Sequence, residues 1–268
     1  MMSADELGNH FRQYFRPVLA ATHSLVVEAH RVRYDVYCKE MKFEDDPGNF
    51  MEIDEFDYYA QHGLISHKGS QSFCGCVRLV VPPLSNRFAK LPIEKHCSNA
   101  IDKNVIDISK MERGTFGEIS RLAVRSQFRR RNTDAKTPSG APPTKSSFQE
   151  NERRHFPQLA VALYLTGAAI AMLNNIRHVF AMMEPRLAKH MNYQGIMFQQ
   201  IGPAVDYHGI RAPYYINDKA LFEGLPPVLH TLYTIIYEEL REQFSPELSV
   251  HNLSHQEEIT HNHLYGSK

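Results

Sequence analysis

The 268-residue chain has no excess of charge of either sign, since thirty lysines and arginines balance thirty aspartates and glutamates. That balance removes the overall field that would hold nucleic acid or an anionic membrane, so any charged partner must be met locally. Cysteine is scarce: Cys38, Cys74, Cys76 and Cys97 show neither C-x-x-C spacing nor the density of a secreted disulfide scaffold, and they read as reduced thiols in a cytosol. The longest apolar run, Leu159 to Leu173, falls short of the roughly 20 residues that span a bilayer and is interrupted by Thr166 and Gly167. It reads as a buried core helix. The first thirty residues lack a basic flank, an uninterrupted apolar run and a small-residue cleavage site, so no signal peptide is expected. These absences together predict a cytoplasmic protein, with peripheral membrane contact left open.

No G-x-S-x-G elbow or nucleophile-plus-base pair is present, which disfavours covalent catalysis. Cys74 and Cys76 alternate with apolar residues, so both thiols should face one side of a strand. The histidines from His251 to His263 lie in a polar tail without ordered spacing, and no metal site is expected there.

What is present is the patterning of an ordinary folded protein, 43% apolar. Helical spacing places Phe11, Tyr14, Phe15, Val18 and Leu19 on one face, and a second amphipathic helix runs from Ser24 to about Cys38. Residues 42–59 are acidic and aromatic around the turn Pro47-Gly48-Asn49 and predict an ordered loop. A hairpin follows, His62 to His67 and Phe73 to Val81. The stretch from Leu91 to Gly114 has no clear period, and Gly117 to Val124 alternates as a strand. Residues 132–154 have almost no apolar content and predict a mobile insertion. Beyond it come the apolar helix, a strand from His178 to Met183, a helix opened by Pro185 and closed by Gly195, and strands at Met197 to Ile201 and Gly209 to Ile216. Helices after Asp218 include Leu232 to Phe244. The order predicts an α/β domain with a mixed central sheet flanked by helices over residues 1–216, then a helical extension and polar tail over 217–268.

Polar residues stand out at Arg33 with Tyr37 and Phe43, at Glu52, Asp54 and Asp57, at Arg78, and at Glu118 with Arg121. Arg78 interrupts the apolar strand Cys76-Val77-Arg78-Leu79-Val80-Val81, so an inward orientation would need a carboxylate partner. On a flat strand Glu118 and Arg121 point to opposite faces, and a bulge between them would bring both into one cleft. Each feature has a plain alternative, as an exposed acidic loop or a structural ion pair.

Taken in order, Arg33-x-x-x-Tyr37, Phe43, Glu52-x-Asp54-x-x-Asp57, Gly75-x-x-Arg78-Leu79 and Glu118-x-Ser120-Arg121-Leu122 resemble the pattern of acyl-homoserine-lactone synthases and the related N-acyl amino acid synthases. Glu118 to Val124, Ala181 to Leu187 and Gly202 to Gly209 further resemble the exosortase-associated acyltransferases of bacterial PEP-CTERM protein-sorting systems. The resemblance implies a GNAT-like fold and transfer of a fatty acyl group from acyl carrier protein, or from CoA, to the amino group of an amino acid or similar small amine. It implies no bound cofactor, the acyl-phosphopantetheine thioester being a co-substrate. Two departures are evident. Arg129-Arg130-Arg131 stand where acetyl-CoA-using members carry a glycine-containing pyrophosphate loop, and this basic cluster suits the acidic surface of a carrier protein. Tyr37 and Phe43 occupy aromatic positions where lactone synthases differ.

The expected mechanism is direct attack of a neutral amine on the thioester in a ternary complex. Glu118 is the candidate base; Arg78 and Arg121 would hold acidic loop residues or the acceptor's carboxylate; Asp54 and Asp57 would fix Arg33 and shape the pocket. Backbone N–H groups of Leu122, Ala123 and Val124 would receive the thioester oxygen. Three alternatives stay open: a lactone synthase that consumes S-adenosylmethionine and releases methylthioadenosine, an acetyl-CoA-dependent transferase, and an inactive acyl-carrier-binding protein.

Overall fold

The computed structural model describes residues 4–86, 88–129, 159–207 and 209–251. Helix α1 spans Ala4–Tyr14 and strand β1 Phe15–Leu19. The helical face expected through Leu19 therefore stops at Tyr14, because Pro17 would break a helix but is accepted on a strand at the edge of a sheet. Phe11 and Phe15 still pack together, tilted, at 5.8 Å between ring centroids. Helix α2, His23–Arg33, is capped by the Thr22 hydroxyl and passes into a π-helical turn, Tyr34–Glu40, that carries Tyr37. Such turns are uncommon and recur at functional sites.

Strands β2 (Ala60–His67) and β3 (Ser72–Val80) form the expected hairpin, and β4 covers Phe116–Val124. Between β3 and β4 the unassigned stretch contains helix α3, Pro92–His96, and single turns at Ser98–Ala100 and Ile108–Lys110. Helix α4 is Leu159–Leu173, β5 His178–Met183 and α5 Pro185–Tyr193. The strand expected to Ile201 shrinks to β6, Gln199–Gln200, just ahead of Gly202 and Pro203, and a two-residue β7, Val205–Asp206, precedes β8, Ile210–Asn217. Helices α6 (Asp218–Gly224) and α7 (Pro227–Gln243) follow.

The sheet order is β1-β2-β3-β4-β5-β8-β6, with β7 paired to β8. All neighbours run antiparallel except β4 and β5. Helices α1, α4 and α7 cover one face; α2 and the loop from Glu52 to Tyr59 cover part of the other. Helix α4 is apolar all round because it is covered all round, by β2, β3 and β4 below and α7 above. The close approach uses Gly63, where an added Cβ would lie 2.6 Å from the Thr166 methyl. Residues of α7 share one apolar core with α4 and the sheet, so the segment after β8 completes the same layer. No helix among the described residues is long and apolar enough to cross a membrane.

Strand β3 is irregular at Cys74: Ile65 opposes Gly75 while Ser66 opposes Phe73, which leaves Cys74 without a partner. The bulge turns Cys74 into the α4 core and leaves Cys76 against α2, so the two thiols pack on opposite sides of the sheet and not on one.

Candidate active site

A fork in the sheet creates the site. Strands β4 and β5 pair over Phe116–His178, Gly117–Val179 and Glu118–Phe180, and beyond Glu118 that pairing ends. The cause lies on the other side of β4. Ser120 opposes Arg78 and Ala123 opposes Cys76, so Arg121 and Leu122 together face Val77. Arg121 takes a left-handed backbone conformation, φ 51°, which is costly for a non-glycine residue and must be held by its surroundings. This bulge changes the parity of the strand, and Glu118, Ser120 and Arg121 all reach one cavity.

Three arginines and four carboxylates form a continuous charge network beside the fork. Arg33, fully buried, donates from Nε to Glu52 Oε2 at 2.5 Å and from Nη1 to Asp57 Oδ1 at 2.6 Å. Arg78 donates from Nη1 to Asp54 Oδ1 at 2.6 Å and Asp57 Oδ1 at 2.8 Å, and from Nε to Ser120 Oγ at 3.1 Å. Arg121 donates from Nη2 to Asp54 Oδ2 at 3.0 Å, to Glu52 Oε1 at 3.1 Å and to Glu44 Oε1 at 3.3 Å. The acidic loop can do this because it closes on itself: the Asp54 and Asp57 carboxylates cap a turn at Glu55–Tyr59 reciprocally. Burial alone would raise these carboxyls, but Arg33 and Arg121 pull Glu52 down to about 2, and Arg33 and Arg78 hold Asp57 well below the usual carboxylate range.

His30, Asp57 and His62 place potential ligand atoms within 4.8 Å of one another, a set that a metal ion could use. Asp57 Oδ1 is already committed to two guanidinium groups, and a dication there would face both Arg33 and Arg78. Burial, together with the charge of Arg33, depresses His30 to about 4, and burial drives His62 well below its ordinary range. The donor set therefore fits two neutral imidazoles beside a paired carboxylate.

Glu118 differs from every other carboxylate here. It is 2% exposed, and its one hydrogen bond among the described residues comes from the Ile93 N–H of α3, at 2.7 Å to Oε2. Burial pushes it up to about 8, against the smaller opposing pull of that N–H, Arg78 and Arg121. It lines a charged chamber of about 280 Å³ together with Asp54, Arg78, Arg121, Tyr207 and Arg211. A second, more apolar cavity of about 340 Å³ runs between Leu122 to Val124 of β4 and Ala181 to Met183 of β5. Tyr37, Phe43, Ser120, Arg121, Met182 and Arg211 border both cavities, so the two meet at the fork.

Tyr37 donates its hydroxyl proton to the Leu122 carbonyl at 2.9 Å and lies 5.6 Å beneath the Arg121 guanidinium. Its phenol, pushed up to about 12 by burial, stays protonated. Phe43 packs its ring 5.9 Å from the guanidinium of Arg211. Arg33 and Asp57 line neither cavity; they stand behind Asp54 and Arg78 and fix them. Arg129 sits at the rim of the apolar cavity, away from the charged chamber, in an ion pair with Glu40. Arg130, Arg131, the insertion at 132–154 and the histidines after His251 lie outside the described residues.

Glu44, Ile93, His96, Tyr207 and Arg211 also form this site and went unremarked as site residues in the sequence. Helix α3 lies in the stretch without a period, so no local signal marks Ile93 or His96. Tyr207 stacks on His96 at 5.8 Å, and it falls inside the Gly202 to Gly209 motif, which offered the one available hint.

Residues 32–137 match the acetyltransferase (GNAT) domain family. No curated protein matches the sequence. Among solved structures, the CoA-dependent acyl-homoserine lactone synthase MesI is 20% identical, with a TM-score of 0.52 over 83% of this chain and 95% of its own. TofI, in a ternary complex with an inhibitor and MTA, is 15% identical, with a TM-score of 0.51 over 80% of this chain and 99% of its own. FeeM, an N-acyl amino acid synthase from uncultured soil microbes, is 11% identical, with a TM-score of 0.50 over 81% and 97%. The GNAT fold expected from the sequence is the fold found, and the chain is an acyltransferase.

Proposed function

We propose that the enzyme moves a fatty acyl group from a phosphopantetheine thioester, on acyl carrier protein or CoA, to the amino group of a small amine by direct attack in a ternary complex. The observation that carries this reading is the fork: an apolar cleft between two parting strands opens into a charged chamber, and a buried carboxyl of raised pKa lines that chamber at the last paired position of β4. Strands that separate leave main-chain donors and acceptors facing the cleft. An amide-bearing pantetheine arm can pair with these, which would bring the thioester carbon to the fork beside Glu118.

The amine enters from the charged chamber. Its nitrogen attacks the thioester carbon, Glu118 takes its proton as the tetrahedral intermediate forms, the C–S bond breaks, and the proton returns from Glu118 to the departing thiolate. A carboxylate that titrates near 8 is a far stronger base than an ordinary one. An acyl-enzyme has no support at this site. Burial holds Cys38 and Cys97 at about 11 and Cys76 at about 12, and the Ser120 hydroxyl accepts from the Arg78 guanidinium. The sequence resemblance to exosortase-associated acyltransferases adds a cellular setting, PEP-CTERM protein sorting, to this proposal.

The reading is tested by incubating the protein with acyl carrier protein and with CoA, each loaded with a fatty acyl group, and a panel of small amines. Thiol release and mass spectrometry of the product are followed together. An amine-dependent N-acyl product is expected; thioester loss without one, for every donor and amine, would sink the proposal. Methylthioadenosine formed from S-adenosylmethionine would mark a lactone synthase instead.

A further inference from the structure

Four arginines line the two cavities: Arg78, Arg121, Arg129 and Arg211. Arg78 and Arg121 are ion-paired with the acidic loop and Arg129 with Glu40, but Arg211 has no carboxylate partner among the described residues. Its Nε is buried without a hydrogen-bond partner, and its guanidinium lies over the Phe43 ring, 5.9 Å from the centroid. The residue is held in place by β8, opposite Val205 of the short β7, so it does not reach the network by a rotation of the backbone. A partly buried guanidinium facing a polar chamber without a counter-ion is unfavourable, and the deficit is removed by a ligand that brings an anion.

We infer that Arg211 is the anchor for a carboxylate on the acceptor, which makes the acceptor an amino acid and not an amine that lacks an acid group. This rests on the acyl-transfer reading above. Two anions could answer the charge, the acceptor's carboxylate or the phosphate of the donor's pantetheine. Position favours the first. Arg211 shares the charged chamber with Glu118, where the amine must stand, whereas the phosphate lies at the far end of the pantetheine arm from the thioester. The network explains why Arg78 and Arg121 do not take this role: both already hold carboxylates of the protein's own loop. The Phe43 ring adds a cation–π contact on one side of the guanidinium, whose planar fork suits a bidentate carboxylate.

The test measures binding and needs no turnover. The full chain is titrated calorimetrically with N-octanoylglycine, the part of the product common to α-amino acid acceptors, and with its neutral amide. The wild type should bind the acid at least about tenfold more tightly. Arg211→Gln should erase that preference while leaving the affinity for the amide unchanged, and Arg211→Lys should retain part of it; unchanged thermal unfolding shows that the variants are folded. Equal affinities of the wild type for acid and amide, no binding of either, or equal losses of both in Arg211→Gln would overturn the assignment. So would a loss of CoA binding in the variant with the acid preference intact, which would give Arg211 to the donor's phosphate. Failure of the acyl-transfer assay leaves this comparison standing, and the reverse also holds.

Discussion

Replacing Glu118 by glutamine separates its chemical role from its structural one, because the two have opposite signs. The amide keeps the shape and can still accept the Ile93 N–H, but it cannot take a proton. Turnover should fall by about 10²-fold or more, the usual scale for loss of a general base. Stability should move the other way. An ordinary glutamate titrates at 4.5 and Glu118 at about 8, because burial disfavours its charged form. At about 1.4 kcal/mol per tenfold in proton affinity, the interval corresponds to about 5 kcal/mol, reduced by whatever water reaches the carboxylate through the cavity.

Between those two values the folded protein binds a proton that the unfolded chain has released. The contribution of Glu118 to stability is therefore fully present below 4.5 and is lost as pH rises through about 8. Denaturant unfolding of wild type and Glu118→Gln at about pH 5 and about pH 9 reads this directly: the variant should gain on the wild type by a few kcal/mol at the higher pH. Activity of the wild type should rise about tenfold per pH unit toward 8 and then level. Parallel stability curves for the two proteins would refute the burial argument, and unchanged turnover across the pH range would remove Glu118 from the chemistry.

Glu52 carries the opposite linkage: held at about 2 by Arg33 and Arg121, it adds stability above 4.5 that is lost as pH falls toward 2, so the acid limb of a stability profile should flatten in Glu52→Gln. Because that change also leaves Arg33 short of a partner, Glu52→Gln should cost about 3 kcal/mol or more at neutral pH in a denaturant titration. Gly75→Ala should destabilise by about 3 kcal/mol, since the added Cβ would stand 2.4 Å from the Ala123 carbonyl oxygen, backbone that cannot give way without moving β4; a variant as stable as wild type would show that the strand can shift. Arg129→Glu should weaken use of acyl carrier protein far more than use of a short acyl-pantetheine, because only the carrier presents an acidic surface. Equal losses with both donors would confine Arg129 to its pairing with Glu40.

The parts of the fold legible in the sequence are those whose cause is local. Strand-like runs on either side of a turn marked β2 and β3, and alternation marked β4, to within a residue or two, while the high apolar content of α4 reported a buried helix. The boundary after Tyr14 was misread because Phe15, Val18 and Leu19 fit a helical face as well as they fit the strand; Pro17 was the local clue against it. Cys74 was misplaced for a different reason. A bulge is a property of two strands, and nothing in Phe73 to Cys76 alone says that Ser66 will pair one residue early.

The candidate site follows the same division. Arg78 announced itself by charge within an apolar strand, and the need for a bulge near Arg121 followed from strand parity once Glu118 and Arg121 were placed together. Arg211 carried no such mark, for it lies in an ordinary strand far along the chain, and its significance is visible only by subtraction. Arg33, Arg78 and Arg121 are each answered by carboxylates of the loop from Glu44 to Asp57, so the positive charges beside the chamber already face acids of the protein itself. In the proposed reading, recognition falls to Arg211, which pairs with no carboxylate among the described residues, and proton transfer to Glu118, which no arginine bonds, so both working residues stand outside the network.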